Sequence, residues 1–258
     1  MPRLEPYLAK GDIIMDASNE HWQATERRQT RLEPKGVHYI CMGVSGGYHQ
    51  HTVARPFYRG GGGGGGGEVA LATVMPLLRK IAAKDGKGRP CVAKLGSDGC
   101  GHYVKMVHNG IEQGMMTALC EAWVVMDAGL GMSYEEIGSI FRKWNEDGPL
   151  RDKYLVRIGA QICTTRKRGN GSSFVLSDIR DKVVQDADDS EGTGTWCVED
   201  GINLQVPHPT IATSHIFRVA SADAAKREDL KNAIRGGTRP GKINDVVGKC
   251  NFIDQDVH

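Results

Sequence analysis

The sequence is poor in aromatic residues, 6% of the chain, and nearly free of charge imbalance at +2 near neutral pH. So small a net charge sets up no field that would draw in nucleic acid or an anionic membrane surface. Long hydrophobic runs are also missing. No stretch approaches the roughly 20 apolar residues of a membrane span, and the start lacks the apolar core of a signal peptide. The seven cysteines (Cys41, Cys91, Cys100, Cys120, Cys163, Cys197 and Cys250) are scattered, odd in number and never spaced C-x-x-C. That spacing speaks against zinc ribbons and disulfide frameworks, and no metal site is expected. Several of them lie in apolar segments, as buried thiols do in a reducing compartment, so a cytoplasmic location is expected. What the chain does have is length and core material: 258 residues at 40% hydrophobic, enough for one large or two smaller domains.

The first part reads as strand, helix, strand. "KGDIIMDASN" is a short apolar run ending in Asp16 and turn formers, which reads as a buried strand and loop. Asn19 is placed to cap the helix "EHWQATERRQTRLEPKG", which Gly36 stops. "VHYICMGV" (37–44) is β-branched and aromatic, a second buried strand, broken by "SGG". This rhythm predicts parallel α/β architecture. The segment 48–67 ends in eight consecutive glycines, Gly60 to Gly67, followed by Glu68 and not by the Lys-Ser/Thr of a phosphate loop. It reads as a flexible insert or as glycines filling unassigned positions. Helix resumes at 68–83 with a kink expected at Pro76, then a short strand "CVAKLG".

From Gly101 the helical period takes over, with helices expected over about 101–130, 134–145, Pro149 to Thr165, 195–205 and 209–227. Ser133-x-x-Glu136 forms a capping box, and "TTRKRG" (164–169) reads as a solvated helix end. The predicted fold is α/β followed by all-α: the C-terminal part of a Rossmann-like domain over 1–96, a helical domain over 97–228, and a tail, 229–258, with no assigned structure.

Within the long helix, Lys105, His108, Asn109 and Glu112 fall within roughly one third of the circumference. Val104, Val107, Ile111 and Met115 form the neighbouring stripe, the one expected to face the core. Lys105 and Glu112 are about 10 Å apart along the axis, so they would reach opposite ends of a small substrate. A desolvated lysine can act as a general base and a protonated glutamate as a general acid. His108 and Asn109 between them could grip hydroxyls or a carboxylate. An interhelical polar network that only fixes packing explains the same stripe.

"GVSGG" (43–47), "GHYVKMVHNGIE" (101–112), "SFVLSDIRDKV" (173–183) and "EGTGTW" (191–196), in this order, resemble 6-phosphogluconate dehydrogenase, most closely its fungal members. The resemblance runs from Gly11 to about Glu228. It implies NADP-dependent oxidative decarboxylation of 6-phosphogluconate to ribulose 5-phosphate and carbon dioxide in the pentose phosphate pathway, by a homodimer. Lys105 then matches the base that takes the C3 hydroxyl proton, and Glu112 the acid that protonates C1 of the enediol. Ser45, Gly46, Gly47, His108, Asn109 and Thr193 match substrate contacts. Arg218 matches a phosphate-binding arginine, and Asn19 a residue between cofactor and substrate. Gln113 and Glu191 stand where family members carry substrate-binding tyrosine and lysine. A glutamate beside a phosphate repels it, so Glu191 does not serve as that lysine does.

Three departures accompany the resemblance. No strand and glycine-rich dinucleotide turn precede "KGDIIMD", the loop after Gly47 is longer and chemically unrelated, and the family's C-terminal clamp on the partner subunit has no counterpart after Glu228. The expectation is therefore a 6-phosphogluconate dehydrogenase represented by an incomplete chain. The alternatives are a catalytically dead fragment or homologue that binds sugar phosphate or pairs with a full-length subunit, and a relative acting on another hydroxy acid, against which "EGTGTW" and Arg218 argue.

Overall fold

A computed structural model describes residues 3–45, 57–60, 66–96, 99–179 and 192–233. Gly46, Gly47, Glu191 and the tail from residue 234 on lie outside the described residues. The chain divides into two compact units, Met1–Ile111 with Gln185–Pro209, and Glu112–Val184 with Thr210–His258.

The first unit is built on a sheet of order β1-β2-β3-β4, from β1 (Ile13–Asp16), β2 (His38–Gly43), β3 (Phe57–Gly60) and β4 (Ala93–Lys94). The parallel pairing of β1 with β2 runs from Ile13↔His38 to Asp16↔Cys41, as the strand–helix–strand rhythm predicts. β3, unforeseen in the glycine-rich insert, is antiparallel to β2 (Gly43↔Phe57) and parallel to β4. With a neighbour on each side, β2 buries every residue from Tyr39 to Gly43. β1 is the edge strand and only half buried, with Met15 exposed.

Helix α1 (Trp22–Leu32) packs Leu32 against Val37 and Tyr39, and α2 (Gly66–Ile81, Pro76 inside it) packs Ala70, Leu71, Val74 and Leu78 on Ile40 and Met42. Each large side chain so buried stabilises the unit by about 1.5–3 kcal/mol. The N-cap of α1 is His21, whose Nδ1 accepts from the Gln23 amide at 3.3 Å, so Asn19 does not cap the helix. Beyond α1 a short 3-10 turn, Glu33–Lys35, ends at Gly36, whose φ of 67° lies in the left-handed region that glycine adopts freely. Helix α6 (Thr193–Asn203) also belongs to this unit.

Helix α3 (Cys100–Val124) contributes to both units and is continued by a π-turn, Val125–Gly129. In the second unit, α4 (Tyr134–Glu146) packs on α5 (Tyr154–Thr164). Their core joins Met126, Leu130, Ile137, Phe141, Val156, Ala160 and Cys163. The capping box at Ser133 and Glu136 is fully formed. The basic stretch after α5 is not a helix end: Arg166–Lys167 (β5) pairs with Asn170–Phe174 (β6) as a small hairpin, with Arg166 over the Phe174 ring. The last expected helix is two, α7 (Pro209–Ser221) and α8 (Ala224–Ala233). Among the described residues no helix is long and apolar enough to cross a membrane.

Candidate functional site

The start of α3 lies against the end of β2 because two glycines let main chain approach main chain. A Cβ at Gly101 would sit 2.6 Å from the Cys41 carbonyl oxygen, and one at Gly43 would sit 2.6 Å from the Lys105 Cβ and 2.8 Å from the Gly101 oxygen. Lys105 is thereby held at the carboxyl end of β2, 7% exposed. The carboxyl ends of parallel strands are where open α/β sheets bind their ligands.

The stripe expected to face the core is half-buried at Val104 and Val107 and exposed beyond them. Ile111 and Met115 are 48% and 47% exposed, whereas His102, Lys105, Met106, Gly110 and Gln113 are buried. The inward face of α3 is the polar one because its groups meet polar partners. His102 Nδ1 lies 2.6 Å from Thr25 Oγ1, Asn109 Nδ2 donates to Thr193 Oγ1 at 3.1 Å, and His215 Nδ1 lies 3.3 Å from Gln113 Oε1. Paired polar groups can be buried without the penalty that usually turns them outward.

Within the first unit the structure brings Lys105, His108, Asn109 and Thr193 together through α3 and α6. His108 Nδ1 is 3.2 Å from Asn109 Oδ1, and Asn109 is tied in turn to Thr193. The start of α6 is fixed by aromatic packing that the sequence reading missed. Gly192 lies against the Trp196 ring, Trp196 meets His21 edge-on, and Trp22 meets Tyr103 edge-on. The Tyr103 hydroxyl donates to Asp200 at 2.7 Å, which together with burial pushes its pKa up to about 12.

Asn19 stands in the loop between β1 and α1, and Ser45 just beyond β2, both at the carboxyl end of the parallel pair. Asp16 anchors that loop: its carboxylate accepts from the Ser18 amide at 3.0 Å and hydroxyl at 2.6 Å, from the Tyr39 hydroxyl, and from Arg28 at 3.3 Å. Burial pushes the Asp16 pKa up, but the bonds from Ser18 and Tyr39 outweigh it and hold it below the usual carboxylate range.

In the second unit Glu112 follows along α3, and Gln113, Arg218 and Ser221 share the lining of an open cavity of about 590 Å³ with apolar Met116, Val124, Val125 and Phe217. No group of described His, Cys, Asp or Glu residues is arranged to hold a metal ion.

Comparison with known sequences gives this arrangement a family. A family described as "6-phosphogluconate dehydrogenase, C-terminal domain" matches residues 101–256, and "NAD binding domain of 6-phosphogluconate dehydrogenase" matches 2–96. The chain belongs to the 6-phosphogluconate dehydrogenase family. A decarboxylating 6-phosphogluconate dehydrogenase from Emericella nidulans is 46% identical over 238 residues, covering 88% of this chain and 47% of that protein. One from Raoultella planticola is 39% identical over 252 residues, covering 98% of this chain and 53% of its own length. The chain thus spans about half the length of the relatives it matches.

A solved Plasmodium falciparum 6-phosphogluconate dehydrogenase, described in its apo form and in complexes with NADP+ and with 6-phosphogluconate, superposes with a TM-score of 0.81 at 29% identity. That match covers 98% of this chain and 51% of the parasite protein. A 3-hydroxyisobutyrate dehydrogenase from Salmonella typhimurium shares the fold alone, at 14% identity and a TM-score of 0.60 over 84% of this chain and 66% of that one. These matches bear out the expected fold class, a Rossmann-like domain joined to a helical one.

Proposed function

We propose that this chain carries out the chemistry its family name describes, NADP-dependent oxidative decarboxylation of 6-phosphogluconate to ribulose 5-phosphate and carbon dioxide. The observation that supports it most is the burial of Lys105 at the carboxyl end of β2, on a helix that also carries His108, Asn109 and Glu112. Desolvation is the condition under which a lysine amine serves as a base. The described residues fit the nicotinamide end of a dinucleotide: Asn19 and Ser45 stand just beyond the carboxyl ends of two parallel strands. When bound there, NADP supplies the acceptor for the hydride that leaves C3.

In this reading Lys105 takes the proton of the C3 hydroxyl. The C3 ketone so formed accepts the electron pair left when the carboxylate departs as carbon dioxide, and Glu112 protonates C1 of the resulting enediol. Ser45, Gly46, Gly47, His108, Asn109 and Thr193 contact the sugar acid; Asn109, already donating to Thr193, is presented in one orientation. Arg218 takes the phosphate, with Gln113 in the place of the family's tyrosine. Glu191 adjoins the substrate without replacing the lysine. The reaction belongs to the pentose phosphate pathway, and the six described cysteines, all free thiols, suit the cytosol.

A second reading is that the chain only binds sugar phosphate or pairs with a full-length subunit. The apolar side chains Ile111 and Met115, exposed on α3, favour pairing, whether with such a subunit or as a homodimer. NADPH formation from 6-phosphogluconate by the purified chain, beside Lys105→Met, tests both. Turnover in the parent and loss of at least about a hundredfold in the variant are expected for a general base. A folded parent that binds 6-phosphogluconate but forms no NADPH overturns the first reading in favour of the second.

A further inference from the structure

Gln113 and His215 are both buried, 7% and 9% exposed, and belong to the same unit, one on α3 and the other on α7. The two helices touch at this level. A Cβ at Gly114 would lie 3.8 Å from Thr210 Cγ2 and 4.0 Å from Ser214 Oγ, ordinary contact distances. His215 Nδ1 lies 3.3 Å from Gln113 Oε1. A carbonyl oxygen only accepts, so Nδ1 carries the hydrogen and donates it. The two ends of a glutamine amide have nearly the same shape, and their partners decide which end points where. With Oε1 turned to His215, the other end is Nε2, a donor of two hydrogens.

Gln113 also lines the open cavity of about 590 Å³ that Arg218 lines, and His215 is not among the described residues of that lining. The histidine therefore stands behind the glutamine. On α3 the lining runs through Gln113, Met116, Thr117, Cys120 and Val124, one stripe of the helix. On α7, His215 precedes Arg218 by three residues, so the two occupy neighbouring turns of one face. We propose that His215 is a positioning residue: its Nδ1–H holds Gln113 with the amide nitrogen presented to the cavity. There the amide joins the Arg218 guanidinium as a set of donors for an anion. An amide turned the other way would offer the same anion its carbonyl oxygen, which repels it. That the anion is the phosphate of the sugar acid rests on the proposed reaction; the orientation of the pair does not. A pair that only joined α3 to α7 would be buried as well, so the decisive readings are those that packing alone leaves unmoved.

The test is calorimetric binding of 6-phosphogluconate, and of gluconate, which lacks the phosphate, to the whole chain, together with the ¹⁵N spectrum of the His215 ring. The ring is expected to be protonated at Nδ1. His215→Leu keeps bulk and removes the donor; it should weaken 6-phosphogluconate about tenfold and leave gluconate unchanged. His215→Asn, whose Nδ2 can stand where Nδ1 stood, should restore most of the loss. In a Gln113→Leu background, His215→Leu should cost nothing more, because the histidine acts only through the glutamine. A bare Nδ1, equal losses for the two ligands, equal behaviour of asparagine and leucine, or a further loss in the double variant overturns the proposal. Should His215→Leu alone fail to fold, the double variant decides, since its apolar pair buries no unpaired group of its own. Affinity equal to that of Gln113→Leu supports the proposal, and weaker affinity overturns it. A parent that binds the two ligands alike, or binds neither, sinks the phosphate reading. The ring spectrum then decides the pair by itself: Nδ1 protonated supports the orientation, and Nδ1 bare overturns it.

Discussion

The Tyr39 hydroxyl donates to the Asp16 carboxylate, joining β2 to the last residue of its parallel neighbour β1. The bond has a signature in acid. Because the folded-state pKa of Asp16 lies below its ordinary value, the unfolded chain binds the proton more readily. The associated stability is therefore complete above the ordinary carboxylate range and is lost as pH falls through the depressed folded value. Tyr39→Phe should cost about 1–3 kcal/mol near neutral pH, and the gap to the parent should narrow in strong acid. Urea unfolding across that range measures it; a gap of constant size would contradict the assignment.

Gly43→Ala should be destabilising by about 1–3 kcal/mol, the range for forcing extra volume into a packed site. The obstruction includes the Gly101 main-chain oxygen, which has nowhere to go, as well as the Lys105 stem. Gly86→Ala is the control: nothing lies within 4 Å of its added methyl, so it should be neutral or stabilising by up to about 1 kcal/mol. Thermal unfolding of the two variants should move in opposite directions or, at the least, differ clearly.

At the start of α4, Ser133 Oγ accepts from the Glu136 amide at 3.3 Å, while Glu136 accepts from the Ser133 amide at 2.7 Å and hydroxyl at 2.8 Å. Ser133→Ala should cost about 1 kcal/mol. The double variant with Glu136→Ala should lose less than the sum of the two single losses, since each removes part of the same reciprocal pair. A double-mutant cycle by chemical denaturation reads the coupling, and strict additivity would deny it.

Gly138 sits inside α4, where alanine would ordinarily gain about 1 kcal/mol in helix propensity. Here the added methyl would lie 2.8 Å from Thr164 Cγ2, 3.2 Å from Cys163 Cβ and 3.3 Å from the Ala160 oxygen, all on α5. Two of these are at or next to the main chain, so the clash outweighs the gain. Gly138→Ala should lower the midpoint of denaturation; a rise would mean that α5 gives way easily.

The parallel pair of strands, the helices after them and the capping box were legible because each is written in a local pattern: β-branched runs, the Gly36 stop, Ser133-x-x-Glu136. β3 was not, because its pairing with Gly43 is set by the sheet, and the glycines that follow it carry no side-chain signal. The burial of α3 was misread for a related reason. Periodicity sorts residues by polarity, but the face that turns inward here is the one whose polar groups find partners: Thr25 lies 77 residues from His102 and Thr193 lies 84 from Asn109. Spacing within one helix carries no trace of either partner. A histidine three residues ahead of Lys105 was the one available hint, and it was absorbed into the motif and given no role of its own. Asn19, by contrast, was given a capping role that the side chain of His21 fills.

The π-turn after α3 has a consequence for insertions and deletions. The Leu130 amide bonds back to the Val125 carbonyl at 2.9 Å, a step of five, so the turn holds one residue more than an α-helix would. Loss of a single codon anywhere in Val125–Gly129 would let the helix regain its ordinary pitch. The step of five then becomes the ordinary four, and Leu130, 1% exposed, keeps its place in the core it shares with Ile137 and Phe141. At this place the chain should bear the loss of one residue far better than the gain of another, which would turn everything beyond by about 100°.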